Sequence, residues 1–311
     1  MKVVFMGTPD FSVGTLEEII AAGHEVVGVV TQPDKPRGRS GQMQATPVKE
    51  VALKHNLPVY QPVRVKAVEF VEELKAMNPD IIVVVAFGQI ISQEILDLPK
   101  YGCINVHASL LPKYRGAAPI QWAIIDGEEK TGVTIMQMDA GLDTGDMIAT
   151  TEIEIDNDET GGGLFDKLSE AGARLLVKTL ANIEAGTITR TPQPEVSPTP
   201  YAKMIKKQMG QIDWDEEAVV TTRLVRGLNP WPSAYTSIGG KTLKVWQALL
   251  SEEDSGYQAG TIVRIDSSTI WVQTGKWLLG IAELQLEGKK RMKAEDFLRG
   301  YDLKVGDRLG E

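Results

Sequence analysis

A single cysteine stands in 311 residues, and its isolation excludes two classes of protein. One thiol closes no internal disulfide and builds no thiolate metal cluster, so a reducing, cytoplasmic compartment is expected. Long apolar runs are missing too. None approaches the roughly 18 residues of a membrane span. The longest, Ile81 to Phe87, has the length of a strand, so no membrane partner is expected. Met1-Lys2-Val3-Val4-Phe5 goes straight into a strand pattern with no signal-peptide pattern before it. The common nucleotide and hydrolase signatures are absent as well. Gly7-Thr8-Pro9-Asp10-Phe11 follows the first apolar run, but no G-x-G-x-x-G completes it. There is no phosphate loop, no G-x-S-x-G nucleophile elbow and no zinc-ligand spacing, so no metal is expected.

Positive charge is in deficit, with 33 Lys and Arg against 42 Asp and Glu for a net charge of −9. That balance argues at first sight against a polyanionic partner. Its distribution along the chain removes the objection. The acidic surplus lies wholly before residue 204, beyond which 15 basic residues meet 15 acidic ones. Even within the first part, Thr31 to Lys66 is basic, with Lys35, Arg37, Arg39 and Lys49 outweighing Asp34 and Glu50. A nucleic-acid partner stays open.

The length exceeds one ordinary domain, and 42% hydrophobic residues suffice for real cores. Apolar runs at Val3–Met6, Val26–Val30, Ile81–Phe87 and Ile104–Val106 read as buried parallel strands. Amphipathic stretches at Gly14–Ala22, Thr46–His55 and Ala67–Met77 lie between them. This α/β alternation predicts a doubly wound, mostly parallel sheet, with ligands outside the carboxyl ends of its strands. A longer helix is expected over Thr160–Gly186, although Gly161-Gly162-Gly163 is an unusual opening. Four prolines between Thr191 and Pro200 forbid helix and central strand, so the segment reads as an extended linker. Glu216–Leu228 is a helix pattern. The β-rich pieces Leu243–Ala248, Gly260–Ile265, Ile270–Gln273 and Trp277–Ala282 then predict a small, OB-like barrel. The expected domains are 1–190 and 205–311, with a proline-rich linker over 191–204.

The most informative stretch is Cys103 to Pro112. Alternate strand residues share a face, so Asn105 and His107 point the same way at a strand's carboxyl end. A satisfied polar pair capping the sheet and a catalytic pair both fit. Of three histidines, His24 sits at a helix–strand junction and His55 in a helix's last turn, both structural places. Only His107 is placed for acid–base work. Cys103 reads as a small buried residue. Asp139 to Asp146, after the strand Gly132–Met138, packs carboxylates and glycines closely enough to be only a turn. Its Asp-Thr-Gly occurs once and in α/β surroundings, whereas an aspartic protease needs two such aspartates.

Taken together, N-V-H-A-S-L-L-P-K-Y-R-G-A-A-P-I at 105–120 and D-A-G-L-D-T-G-D at 139–146 resemble the folate-dependent formyltransferases. G-T-P-D-F at 7–11, T-Q-P-D-K-P-R-G-R at 31–39, V-V-V-A-F-G at 83–88 and N-P-W-P at 229–232 extend the likeness over the chain. These are similar to the branch of the family whose acceptor is methionyl initiator tRNA. The resemblance implies formyl transfer from 10-formyltetrahydrofolate to the methionine amine. It implies Asn105, His107 and Asp143 as catalytic residues and Ser109, Leu110, Leu111 and Pro112 as a folate-contacting segment. Phe87, Gly88 and Gln89 would line the pterin pocket through their backbone.

The chemistry fits those roles. An α-amine titrates near neutrality and needs modest help to lose a proton. The harder task is the oxyanion that forms on the formyl oxygen. Asn105 and protonated His107 can donate to it, and Asp143 would favour the imidazolium. The basic loop with Lys35, Arg37 and Arg39 would grip the acceptor stem, and Lys289, Lys290, Arg291 and Lys293 more distant phosphates. A monomer is expected. The rivals are a formyltransferase acting on a sugar nucleotide, a non-catalytic RNA-binding protein and a formyl-folate hydrolase.

Overall fold

Nearly continuous apolar runs become central strands, because only a sheet covered on both faces buries every residue of a strand. The computed structural model describes residues 1–37 and 41–311. The chain opens with β1 (Lys2–Gly7), α1 (Val13–Ala21) and β2 (Glu25–Val30). A hairpin of β3 (Lys35–Arg37) and β4 (Gln42–Gln44) follows, then α2 (Pro47–Lys54), β5 (Val59–Tyr60), α3 (Val68–Met77) and β6 (Ile81–Val85). Next come α4 (Gln93–Leu96), β7 (Cys103–His107), α5 (Pro119–Ile125), β8 (Lys130–Gln137), β9 (Met147–Glu154) and α6 (Gly161–Ala185). The remainder is α7 (Ala218–Gly227), β10 (Ala234–Ile238), β11 (Lys241–Ser251) and β12 (Ile262–Ile265). It ends with β13 (Ile270–Gln273), β14 (Leu278–Leu286), β15 (Met292–Lys293) and α8 (Ala294–Leu298).

These elements form two units. The first takes Met1–Pro119, Lys130–Glu154 and Phe165–Ala202, and the second takes Ile120–Glu129, Ile155–Leu164 and Lys203–Glu311. The first unit is built on a sheet of order β5-β2-β1-β6-β7-β8-β9. Strands β5 to β7 in that order are parallel, and β8 and β9 are antiparallel additions at one edge. On one face Val4, Met6, Ile82, Val84 and Cys103 cluster with Phe70 and Leu74 of α3 and Ile95 of α4. On the other, α6 comes so near β7 and β8 that a Cβ at Gly172 would lie 2.9 Å from Val106 and 3.4 Å from Val133. Helices therefore cover both faces. The chain leaves β1 towards β2 and returns to β6 on its other side, which creates a switch point at the carboxyl ends of β1 and β6.

The second unit is an antiparallel sheet of order β10-β11-β14-β13-β12, with β15 on β14. Its core holds Trp214, Val225, Val245, Val272, Leu279, Leu284 and Phe297, with the Trp214 indole N–H donating to Thr236 Oγ1 at 3.0 Å. The expected barrel corresponds here to a sheet whose hydrogen-bonded path does not close among the described residues. Its two edge strands meet irregular segments rather than each other, through bridges from Gln211 to Tyr235 and from Thr261 to Arg308. The glycine opening of α6 also finds its reason in this unit. A Cβ at Gly161 would lie 2.5 Å from the Gly227 carbonyl oxygen, so a close backbone approach demands glycine there.

Candidate active site

The strand β7 ends where the sequence predicts a site. Asn105 pairs with Val84 of β6 and Met136 of β8, while His107 pairs with Thr134. Asn105 is half-buried and His107 is 6% exposed. The ring of His107 is oriented by its neighbour in the next turn. Nε2 lies 2.9 Å from the Tyr114 carbonyl oxygen, which only accepts, so Nε2 carries a proton and donates. Nδ1 faces Asp143, 3.9 Å from Oδ1. That is beyond a direct hydrogen bond but within ion-pair reach once the ring is charged.

Asp143 reaches this position in the left-handed region, at φ 56°. Its Oδ2 accepts from the Gly116 N–H at 2.9 Å. The adjoining turn is closed by Thr144 Oγ1, which donates to Asp139 Oδ1 at 2.8 Å. Tyr114 and Gly116 are therefore backbone partners of the two ionisable groups, a role that their side chains do not announce. Tyr201 sits beside them. Burial first, then the charge of Asp143, pushes its phenol above the ordinary tyrosine range.

The segment between them, Ala108 to Ala118, is held from both sides. Ser109 is fully buried and its Oγ donates to the Lys113 carbonyl at 2.7 Å. Thr134 Oγ1 donates to the Ser109 carbonyl at 2.7 Å and accepts from the Leu111 N–H at 3.0 Å. Leu111 is buried and joined to Pro112 by a cis peptide, whereas Leu110 and Pro112 are half-buried. On the opposite side lies the proline-rich stretch, which has neither helix nor continuous strand and bends at Glu195–Val196 and Pro198–Thr199. Ser197 Oγ donates to the Pro112 carbonyl at 2.7 Å, and the Tyr114 N–H donates to Thr199 Oγ1 at 2.7 Å. This stretch is a strap on the site's wall.

At the switch point the loop after β6 turns through left-handed Ala86 and Gly88, at φ 45° and 82°. The Phe87 carbonyl accepts from Thr8 Oγ1 at 3.1 Å and Gln32 Nε2 at 3.2 Å, which ties together the ends of β1, β2 and β6. Gln89 spends its side chain on the Val65 N–H and the Pro62 carbonyl, at 2.7 and 3.2 Å. A groove of about 470 Å³ opens between β5 and α3, lined by Tyr60, Arg64, Phe70 and Glu73 among others, and no expected site residue lines it. Cys103 is fully buried, and burial pushes its thiol up to about 12, so it offers no thiolate near neutral pH.

Lys35 is exposed on β3, Arg37 ends that strand, and Arg39 lies outside the described residues. In the second unit Lys289, Lys290, Arg291 and Lys293 are exposed where β14 turns into β15. Arg291 differs from the lysines. It forms a two-pronged pair with Glu283 at 2.8 and 2.6 Å and lies 4.5 Å from the Trp246 ring centre. Among the described residues no helix is long and apolar enough to cross a membrane.

Residues 1–180 match the model of the formyl transferase family, and residues 204–302 that of the formyl transferase C-terminal domain. The chain belongs to the formyl transferase family. This formyltransferase is 59% identical over 306 residues to a methionyl-tRNA formyltransferase from Agathobacter rectalis, with 98% of each chain covered. It is 50% identical over 310 residues to that of Bacillus subtilis, covering 99% of this chain and 98% of the other. Among solved structures, its fold resembles an N-formyltransferase from Helicobacter canadensis in complex with folinic acid and dTDP-3-aminofucose. The TM-score is 0.68 at 20% identity, over 90% of this chain and 99% of that one. HypX from Aquifex aeolicus in complex with tetrahydrofolic acid gives a TM-score of 0.64 at 19% identity, over 99% of this chain and 50% of that one. Both likenesses bear on the fold alone.

Proposed function

We propose that this formyltransferase moves the formyl group of 10-formyltetrahydrofolate onto the α-amine of methionyl initiator tRNA. The observation that carries the chemistry is the placement of His107 Nδ1 opposite Asp143 at the carboxyl end of β7. With Nε2 committed to the Tyr114 carbonyl, Nδ1 is the nitrogen left for the reaction. It takes a proton from the attacking amine, and the imidazolium so formed is stabilised by the Asp143 carboxylate. The amine nitrogen bonds to the formyl carbon, whose oxygen gains negative charge and accepts from the Asn105 amide. An aimed donor of this kind contributes about 3 kcal/mol. When the bond from the formyl carbon to the folate nitrogen breaks, Nδ1 returns its proton to that nitrogen. Atoms and charge balance, with formyl-amine and tetrahydrofolate as products.

The folate is assigned to the wall formed by Phe87, Gly88 and Gln89 with Ser109, Leu110, Leu111 and Pro112. Backbone groups and half-buried apolar side chains suit a flat heterocycle there, because the hydroxyl of Ser109 is already used. The acceptor assignment rests on full-length relatives that bear the methionyl-tRNA name. Lys35, Arg37 and Arg39 are read as contacts near the acceptor end. Lys289, Lys290, Arg291 and Lys293, on a sheet read as OB-like, are assigned to phosphates farther along the tRNA. One chain supplies the whole proposed catalytic set, so a monomer in the compartment of translation suffices. The test is a panel of acceptors with one formyl donor. Formyl-methionine on charged initiator tRNA, with no product from a dTDP-amino sugar, is expected. The opposite preference sinks the acceptor assignment.

A further inference from the structure

Asp143 is not glycine, and a left-handed φ of 56° persists at such a residue only where the surroundings hold it. The holding group lies 50 residues further along the chain. Gln193 Nε2 donates to the Asp143 carbonyl at 3.0 Å and to the Gly145 carbonyl at 2.7 Å, so one amide spans both ends of the turn. Its oxygen is also engaged, accepting from Arg115 Nε at 3.0 Å and Nη2 at 2.9 Å. Arg115 is 9% exposed and donates further to the carbonyls of Pro194 and Glu195, at 2.7 and 3.1 Å. Two carbonyls require the NH₂ and a guanidinium requires the oxygen, so the amide has a single satisfied orientation.

We infer that Gln193, locked by Arg115, is a positioning residue that sets the Asp143–Gly145 backbone and thereby places the Asp143 carboxylate beside His107. The inference rests on the proposed proton-handling role of that pair. The strap's neighbouring bonds, from Ser197 to Pro112 and from Tyr114 to Thr199, hold the 112–114 turn instead. Gln193 therefore has a job that general closure of the strap does not explain.

Gln193→Glu separates the two roles. The carboxylate keeps the side chain's shape and strengthens its pairing with Arg115. It also replaces a shared donor by an oxygen facing two carbonyls. Turnover is expected to fall about 10- to 100-fold from the displaced carboxylate. KM for either substrate should stay within about twofold, and the melting transition, lowered by the two lost hydrogen bonds, should still lie well above the assay temperature. Combined with Asp143→Asn, the variant should lose no more than Asp143→Asn alone, since both changes act through one carboxylate. Gln193→Met, equally long and without polar atoms, repeats the cycle if the glutamate variant does not fold. Wild-type turnover in either folded variant, or losses that multiply in the double variant, would overturn the inference while the functional reading stands. A wild-type chain that forms no formyl-methionyl-tRNA overturns both.

Discussion

Asp143→Asn removes one charge and almost nothing else. Asparagine tolerates the left-handed region at least as well as aspartate, and its carbonyl can keep the 2.9 Å bond from the Gly116 N–H. The lost quantity is the attraction between the carboxylate and an imidazolium. At the 3.9 Å separation between Oδ1 and Nδ1, unit charges attract by about 4 kcal/mol at an effective dielectric near 20. The Asp143 side chain is 21% exposed, so solvent screens part of this. About 3 to 4 kcal/mol in the transition state corresponds to roughly 10²- to 10³-fold in rate. That is less than the roughly 10⁴-fold loss at a directly hydrogen-bonded triad aspartate, as the longer separation requires. The assay is single-turnover formylation of charged tRNA beside a thermal melt. Turnover within about threefold of wild type, far short of the roughly 10²-fold expected, would refute the ion-pair reasoning. So would an unfolding transition low enough to explain the whole loss.

Three further outcomes are expected. At Gly116, φ is 128° and a Cβ would lie 2.6 Å from the Ala202 carbonyl oxygen. Gly116→Ala should therefore cost about 1 to 3 kcal/mol in a urea melt and lower turnover with it. Neutralising Lys289, Lys290 and Lys293 together should raise KM for tRNA with little change in turnover. The log–log salt slope of binding should become shallower by about 2 to 3 units, and an unchanged slope would remove these residues from the tRNA contact. Burial, then the Met1 ammonium 3.5 Å from Nδ1, holds His24 below its ordinary value. Its contribution to stability is thus complete above about pH 6.5 and is lost as pH falls through the lower folded value. His24→Gln should flatten that part of the melting-temperature profile.

The central strands were legible because their side chains are buried on both faces, as at Ile81–Val85, where all five residues are buried. The edge strand Met147–Glu154 was not, since its half-exposed positions mix Thr and Glu with apolar residues and blur the run. The hairpin within the basic loop had no apolar alternation to announce it, and Met43 on its second strand is 60% exposed. Asn105 and His107 were legible as a shared strand face, and the loop carrying Asp143 as a cluster of turn residues. Their supports were not. The Tyr114 carbonyl and the Gly116 N–H are backbone groups, which every residue possesses, and Gln193 acts across 50 residues of sequence. Proline spacing implied a segment without helix or central strand at 191–200 but contained no sign that Gln193, Ser197 and Thr199 would hydrogen-bond back to the 112–115 and 143–145 turns. Likewise, only long-range contacts place 120–129 and 155–164 with the second unit. A cut after residue 190 would strand both segments, so charge neutralisation is the cleaner probe of tRNA binding.

Transfer from folate to an aminoacyl amine fixes a stoichiometry that hydrolysis does not share. With enzyme in excess over charged initiator tRNA, 10-formyltetrahydrofolate is added, the reaction is quenched, and formyl-methionine is counted against tetrahydrofolate. One formyl-methionine is expected for each tetrahydrofolate, and neither product when tRNA is withheld. Tetrahydrofolate and free formate appearing at the same rate without tRNA would contradict the transfer and identify a hydrolase instead.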